Sequence, residues 1–284
     1  MAPVGVVGLG NMGGALAANL VAHGHDVLAH DVAGPGRTPD GATFVPDLTA
    51  VATGAATVVL SLPDGAVSER VAGEIAATSG RRTAHVVDTS TIGVAAARSI
   101  DARLAEAGVA YVDAPVSGGV AGARARTLTV MVAAPEAACA AVAPVLEGLS
   151  DRRRRVGDRP GMAQALKLAN NFLSAAALAA TSEAIAFGLS VGLDMATMLE
   201  VLDTSSGRSA ATNDKFPNEV LTGRYASGFS NALMAKDVRL YRREAAGQDV
   251  TTTIGSVTED VWERFAAADP GADFTRIFPF VAGD

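Results

Sequence analysis

Lys167 and Asn171 are spaced four residues apart in a segment rich in Ala and Leu, a composition that predicts a helix. Side chains at this spacing project from one helix face, so both can reach the same small molecule. A lysine amine can exchange a proton with a hydroxyl or carbonyl oxygen, and an asparagine amide can hold that oxygen in place. The two residues are therefore candidate catalytic residues. The residues alone also allow a structural interpretation, in which Lys167 extends along an amphipathic helix into solvent.

A glycine-rich turn follows the apolar β-branched run at residues 4–7 and opens a predicted helix. The pattern G-x-G-x-x-G in this position is typical of dinucleotide binding. Its first glycine permits a tight turn, its second lets the backbone approach a pyrophosphate, and its third allows close helix packing. A tight connection in a domain that binds no ligand is the alternative. The predicted cofactor-binding residues of the turn are Gly8, Leu9, Gly10, Asn11, Met12 and Gly13.

Asp31 ends the next predicted strand, at about the distance past the first glycine where an acidic residue meets the adenosine ribose. A carboxylate there accepts hydrogen bonds from the ribose hydroxyls and repels a 2′-phosphate. We therefore predict NAD as the cofactor. Arg37 keeps NADP open, because a flexible arginine beyond the strand could turn towards a phosphate.

Ser117, Gly118 and Gly119 follow one predicted strand, and Thr91 follows another. Open parallel sheets bind ligands at the carboxyl ends of their strands. A serine hydroxyl and N–H groups unobstructed by side chains suit a carboxylate. We predict that residues 117–119 bind a substrate carboxylate and that Thr91 reaches cofactor or substrate. An ordinary Gly/Ser turn is the alternative for residues 117–119.

The composition and periodicity of the sequence change near residue 160. Before it, short β-branched runs alternate with Ala-rich segments of helical length, which indicates parallel strands joined by crossover helices. After it, no strand signal recurs. The predicted fold class is therefore α/β. We predict a Rossmann-like, mostly parallel sheet domain over residues 1–160 that binds the dinucleotide, followed by an all-α domain over residues 161–284. The second domain is predicted to serve substrate binding and dimerisation. The predicted strands are 4–7, 26–30, 57–62, 84–88, 109–113 and 128–132, and the predicted helices are 11–23, 64–79, 92–107, 162–191, 195–202 and 232–246.

Composition excludes several classes of protein. The 284 residues carry a formal charge of −7, so no general positive field exists for nucleic acid or an anionic membrane. The arginine run at residues 152–155 is interpreted as a solvated strand edge rather than an anion site. The single cysteine can form neither an intramolecular disulfide nor a thiolate metal site, which fits a cytoplasmic protein. No metal, no nucleic acid and no membrane partner is expected.

Several motifs in this order resemble the β-hydroxyacid dehydrogenase family, most closely its 3-hydroxyisobutyrate dehydrogenase branch, from end to end of the chain. The matching stretches begin at Gly8, Asp88, Asp113, Gly161 and Leu233 and read GLGNMG, DTSTI, DAPVSGG, GMAQALKLANN and LMAKD.

The resemblance implies an NAD(P)-dependent enzyme that interconverts a small β-hydroxy acid and its aldehyde or keto form. It implies that Lys167 is the general acid and base, and that Leu62, Pro63 and Lys236 lie beside the cofactor. Asp237 could orient Lys236 by a charge-assisted hydrogen bond.

Three alternative functions stay open. Tartronate semialdehyde reduction could use the same carboxylate anchor and acid. An imine reductase shares the architecture, although its relatives generally replace this lysine, and a non-catalytic NAD-binding protein could keep the glycine turn alone. The apolar segment from residue 172 to 193 predicts burial against a second subunit, hence a homodimer or homotetramer.

Overall fold

The computed structural model describes residues 2–283, and the chain divides between Lys167 and Leu168 into two compact units. The division falls a few residues beyond the boundary expected from the sequence. Each unit has its own buried core, and each is described separately below.

The first unit is built on a nine-stranded sheet with the strand order β3-β2-β1-β4-β5-β6-β8-β7, in which β9 pairs with β8. All pairs are parallel except β8, which runs antiparallel to β6 and β7. The predicted mostly parallel sheet is therefore confirmed. The strands are β1 (Val4–Val7), β2 (Val27–His30), β3 (Thr43–Phe44), β4 (Thr57–Leu60), β5 (His85–Asp88), β6 (Ala110–Asp113), β7 (Val116–Ser117), β8 (Thr129–Ala133) and β9 (Arg152–Gly157).

Helices cover both faces of this sheet, because successive strand residues point to opposite sides. Val6 of β1 packs with Leu16 and Leu146 in one buried cluster, whereas Val7 packs with Val71 and Ile100 in another. The helices of this unit are α1 (Asn11–Ala22), α2 (Leu48–Gly54), α3 (Gly65–Ala77), α4 (Val94–Glu106), α5 (Gly119–Arg124), α6 (Glu136–Ala141) and α7 (Ala143–Leu149), with a short 3-10 helix at Pro35–Arg37.

Strands β3, β7 and β9 were absent from the predicted set of strands. Two of them have only two residues, too few to produce a periodic pattern. The third contains the arginine run, which the sequence analysis interpreted as a strand edge, and it pairs in parallel with β8.

The second unit is helical throughout its described residues, apart from one isolated bridge between Ser230 and Asp273. Its core contains Phe216, Trp262 and Phe265, and the Trp262 indole N–H donates to the carbonyl of Ala175 at 3.2 Å. Its helices are the greater part of α8 (Met162–Ser190), then α9 (Met195–Asp203), a π-helix (Ala211–Val220), α10 (Asn231–Ala246), α11 (Thr253–Ala268), a 3-10 helix (Phe274–Arg276) and α12 (Ile277–Ala282).

Helix α8 is the one helix in residues 2–283 that is long and apolar enough to cross a bilayer, with a mean hydropathy of 1.5 over 18 residues. Core helices of water-soluble proteins can have the same length and hydropathy. Ala175, Leu178 and Ile185 of this helix belong to the core of the second unit.

Candidate active site

The glycine-rich turn connects β1 to α1, and its glycines have different reasons to lack a side chain. A Cβ added at Gly13 would lie well under 3.0 Å from the carbonyl oxygen of Gly8, and one at Gly8 would meet Ser61 as closely. Gly8 also has a φ of 91°, which favours glycine. At Gly10 an added Cβ would meet no protein atom within 4 Å. Protein packing thus explains Gly8 and Gly13 but not Gly10, which fits a turn shaped for a bound pyrophosphate.

Asp31 lies against this turn, directly after β2. Its Oδ2 accepts a hydrogen bond from Leu9 N at 2.6 Å, and its Oδ1 accepts one from Ala33 N at 2.8 Å. The carboxylate is therefore fixed at the carboxyl end of β2, beside the turn that precedes α1. Arg37 is exposed in the neighbouring 3-10 helix, so it can change rotamer freely.

The ends of β4 and β5 are joined by a side chain. Ser90 Oγ accepts a hydrogen bond from Leu62 N at 2.8 Å, and Ser90 N donates to Asp88 Oδ1 at 2.9 Å. This places the Leu62-Pro63 segment and Thr91 at adjacent strand ends, since β4 and β5 are parallel neighbours. Leu62 and Thr91 are half-buried there.

Ser117 ends β7 rather than lying in a loop after β6, as the sequence analysis had expected. The strand is antiparallel to β8, and α5 lies between the two strands in the chain. Gly118 and Gly119 have φ values of 130° and 67°, a region that side chains rarely adopt. The two glycines are thus required by the backbone as well as being suited to a ligand.

Lys167 and Asn171 lie on α8, as predicted, one helical turn apart. Both side chains are buried, with 8% and 6% of their surface exposed, so neither is a solvated surface residue. The structural alternative, a lysine extended into solvent, is therefore wrong. A buried amine and a buried amide at this spacing can act on one polar group of a small substrate.

Asn171, Asp237 and Lys236 form a polar group within the second unit. Asn171 Nδ2 donates to Asp237 Oδ2 at 2.6 Å, and Lys236 Nζ lies 3.2 Å from Asp237 Oδ1. The predicted ion pair between Lys236 and Asp237 is present. The same carboxylate fixes the orientation of the Asn171 amide, because only the NH₂ end can donate to it.

Asp113 and Gln164 were not predicted as functional residues, although both stand in the motif stretches. Asp113 ends β6 with no exposed surface, and Gln164 lies in the first turn of α8, also with none. Gln164 Nε2 donates to Asp113 Oδ1 at 2.8 Å. Burial raises the pKa of Asp113 to about 6, against the lowering effect of its hydrogen bonds from Gln164 and Gly161. The available signal was a pair of polar residues at the strand end and helix start.

A second buried carboxylate, Asp88, ends the neighbouring strand β5. Burial raises its pKa, while hydrogen bonds from Ser90 oppose the shift. Tyr111 on β6 points its hydroxyl towards Asp88 Oδ2 at 3.5 Å, and burial raises the Tyr111 pKa well above its usual value. The carboxyl ends of β5 and β6 thus hold ionisable groups away from water.

Comparison with known proteins agrees with this geometry. Residues 3–157 match a family model described as the NAD-binding domain of 6-phosphogluconate dehydrogenase. Residues 161–281 match one described as NAD-binding of NADP-dependent 3-hydroxyisobutyrate dehydrogenase. The 3-hydroxyisobutyrate dehydrogenase of Pseudomonas aeruginosa is 36% identical to this chain over 98% of the chain and 97% of its own length.

The chain belongs to the β-hydroxyacid dehydrogenase family. The 3-hydroxyisobutyrate dehydrogenase of Mycobacterium tuberculosis, solved with L-serine, superposes with a TM-score of 0.91 at 32% identity, over 99% of both chains. Psf3, solved with NADP+ and 2-OPP, gives a TM-score of 0.84 at 31% identity, over 98% of this chain and 99% of its own. This member of the family is an NAD(P)-dependent oxidoreductase acting on CH–OH donors.

Proposed function

We propose that this β-hydroxyacid dehydrogenase interconverts 3-hydroxyisobutyrate and its aldehyde, with NAD preferred to NADP and Lys167 as the general acid and base. The observation that carries the proposal is the burial of Lys167 and Asn171 one turn apart on α8. Buried lysines are uncommon, and a lysine amine shielded from water is suited to proton transfer.

In the oxidation direction, Ser117 and the N–H groups of Gly118 and Gly119 bind the substrate carboxylate. The Lys167 amine takes the proton from the hydroxyl group, and the Asn171 amide holds the oxygen as the carbonyl forms. A bound nicotinamide would supply the hydride acceptor for the substrate carbon that carries this oxygen. In reduction, the Lys167 ammonium returns the proton to the oxygen.

The preference for NAD rests on Asp31. Its carboxylate is fixed by Leu9 N and Ala33 N, so it cannot turn away from a 2′-phosphate without losing two hydrogen bonds. A fixed negative charge repels a phosphate and accepts from a ribose hydroxyl. Leu62, Pro63, Thr91 and Lys236 stay predicted cofactor contacts.

We also propose a homodimer or homotetramer. In the second unit, Leu173, Phe187 and Val191 are exposed by 65%, 70% and 64%. Apolar side chains this exposed in one region are typical of a surface covered by another subunit. Light scattering on the purified chain tests the proposal, and a monomer at micromolar concentration contradicts it. A cytoplasmic location stays a prediction.

The experiment is a panel of substrates with each cofactor. It compares kcat/KM for 3-hydroxyisobutyrate, serine, threonate and glycerate in oxidation, and for tartronate semialdehyde and cyclic imines in reduction. The proposal predicts the highest value for 3-hydroxyisobutyrate with NAD. A higher value for tartronate semialdehyde reassigns the substrate, faster turnover of imines contradicts the hydroxy-acid assignment, and tight NAD binding without any turnover supports a binding protein.

A further inference from the structure

Gln164 lies three residues before Lys167 in the first turn of α8, and its side chain is fully buried. A primary amide offers two N–H donors and two acceptor lone pairs. All four are used here, and exchanging the two ends of the amide would set an oxygen against two oxygens. Nε2 donates to Ser90 O at 3.1 Å and Asp113 Oδ1 at 2.8 Å, and Oε1 accepts from Ile92 N at 2.9 Å and Gly93 N at 3.2 Å.

Asp113 completes the arrangement from the end of β6. Its Oδ2 accepts from Gly161 N at 2.8 Å and from Gln164 N at 3.2 Å. These are N–H groups at the start of α8, which have no partner within the helix. The negative charge of Asp113 lies at the N-terminal end of α8, where the positive end of the helix dipole stabilises it. One carboxylate therefore holds both the backbone of α8 and the Gln164 side chain.

The consequence reaches the proposed catalytic residue. Gln164 bonds to the backbone on both sides of Thr91, and it lies less than one turn from Lys167. All these residues belong to the first unit. We propose that Gln164 and Asp113 are positioning residues, which hold the Lys167 helix and the Thr91 loop in one fixed arrangement and so determine kcat. The inference rests on the proposed role of Lys167.

The arrangement requires ionised Asp113, because all three of its partners are N–H donors. With its pKa raised to about 6, chiefly by burial, Asp113 takes up a proton as the pH falls through that value. Asp88 on β5 and Tyr111 on β6 are the titratable groups that interact with Asp113, and Asp101 on α4 acts in turn on Tyr111. One carboxyl oxygen then becomes a donor facing N–H groups, and kcat falls.

As the pH falls, protonation of Asp113 lowers kcat but raises the stability of the folded state. A carboxyl whose folded pKa is raised favours the folded state more as the pH falls, and its contribution is lost as the pH rises through about 6. A fall in kcat from this group therefore occurs without a loss of stability from it.

Gln164→Glu is the most direct test, because glutamate keeps the shape of the glutamine side chain and replaces its NH₂ group, which supplies both donors, by an oxygen. At about pH 8 the introduced carboxylate faces Ser90 O and the Asp113 carboxylate, and we expect kcat to fall roughly 10–100-fold, more than KM changes. On acidification the introduced group takes up a proton and can donate again. The ratio of variant to wild-type kcat should then rise, which a merely structural defect does not produce.

Asp113→Asn is the second variant, since its NH₂ group meets N–H donors. We expect a low kcat at every pH and no further loss near pH 6. Thr83→Val is the matched control, because Thr83 is equally buried and donates to Ala52 O and Ala55 O at the opposite end of β5. It should lower stability without altering the pH dependence of kcat.

Three results overturn the inference. One is a Gln164→Glu kcat within about twofold of wild type at about pH 8, and another is a ratio that does not change with pH. A wild-type kcat that stays flat down to about pH 5 overturns it whether or not the variants fold. Lys167→Ala separates this inference from the proposed function: normal turnover in Lys167→Ala removes both, whereas loss of turnover there with a normal Gln164→Glu removes only the inference.

Discussion

The substitutions Gly10→Ala and Gly13→Ala separate cofactor binding from folding within one turn. Gly10 has a φ of −59°, which alanine adopts freely, and its added Cβ meets no protein atom within 4 Å. Alanine lowers the conformational entropy of the unfolded chain, which stabilises the folded protein by about 0.4–1 kcal/mol. Alanine is also a poorer N-cap than glycine, which costs a similar free energy. The free energy of unfolding should therefore change by less than about 1 kcal/mol.

Gly13→Ala, by contrast, should lower the free energy of unfolding. The added Cβ lies well under 3.0 Å from the Gly8 carbonyl oxygen, a backbone atom that no rotamer change can move. Overpacking of this kind costs about 1–3 kcal/mol. At about 2–4 °C for each kcal/mol, a loss of 3 kcal/mol lowers Tm by roughly 6–12 °C.

The assays are Tm by differential scanning fluorimetry and the Kd of NAD by fluorescence titration. Gly10→Ala should raise Kd by about tenfold or more, which is about 1.4 kcal/mol, with Tm nearly unchanged. Gly247→Ala, at the end of α10 with a φ of −66° and only ordinary contacts, is the control and should alter neither quantity. Unchanged NAD affinity in a folded Gly10→Ala variant would refute the assignment of this turn to the pyrophosphate.

Further predictions concern the cofactor preference and the second unit. Asp31→Asn removes the charge that opposes a 2′-phosphate, so the kcat/KM ratio of NAD to NADP should fall at least about tenfold, and an unchanged ratio contradicts this role. Asp237→Ala removes the carboxylate that binds the buried Asn171 and the half-buried Lys236; urea denaturation should show a loss of about 2–4 kcal/mol, and a loss below about 0.5 kcal/mol excludes the contact as a stabilising one. Trp262→Phe removes the N–H that donates to Ala175 O, at an expected cost of about 1–3 kcal/mol in the same assay, with kcat unchanged.

Much of the first unit could be predicted because its central strands are buried on both faces. The runs at Val4–Val7 and Thr57–Leu60 are entirely buried, so apart from Thr57 they contain no polar residue, and Gly8 and Ser61 follow them. Gly24, Gly80 and Gly108 directly follow the predicted helices 11–23, 64–79 and 92–107, and each has the positive φ that is common where a helix ends.

The two-residue strand that ends at Ser117 could not be predicted, since its position depends on pairing with β8 rather than on local pattern. The role of Gln164 was hidden for a similar reason. Its side-chain partners in the β5 and β6 segments lie 51 to 74 residues away in sequence. A glutamine on a predicted helix gives no sign of which distant backbone groups it will meet.

Lys167 and Asn171 could be placed on one helix face from their spacing, but their burial could not. It depends on tertiary packing around α8, which also decides that Asn171 meets Asp237, 66 residues later. Spacing thus predicted the pair, and packing determined its environment.

The most direct test of the central claim is the turnover of Lys167→Ala with 3-hydroxyisobutyrate and saturating NAD, beside the Kd of NAD for the same variant. We predict that kcat falls by about 10²–10⁴-fold, the usual contribution of a general acid or base, while Kd stays within about threefold of wild type. Lys215→Ala, which removes a half-buried lysine paired with Asp214, is the control and should keep its turnover. A Lys167→Ala variant that turns over as fast as the wild type contradicts the role of Lys167 as the general acid and base.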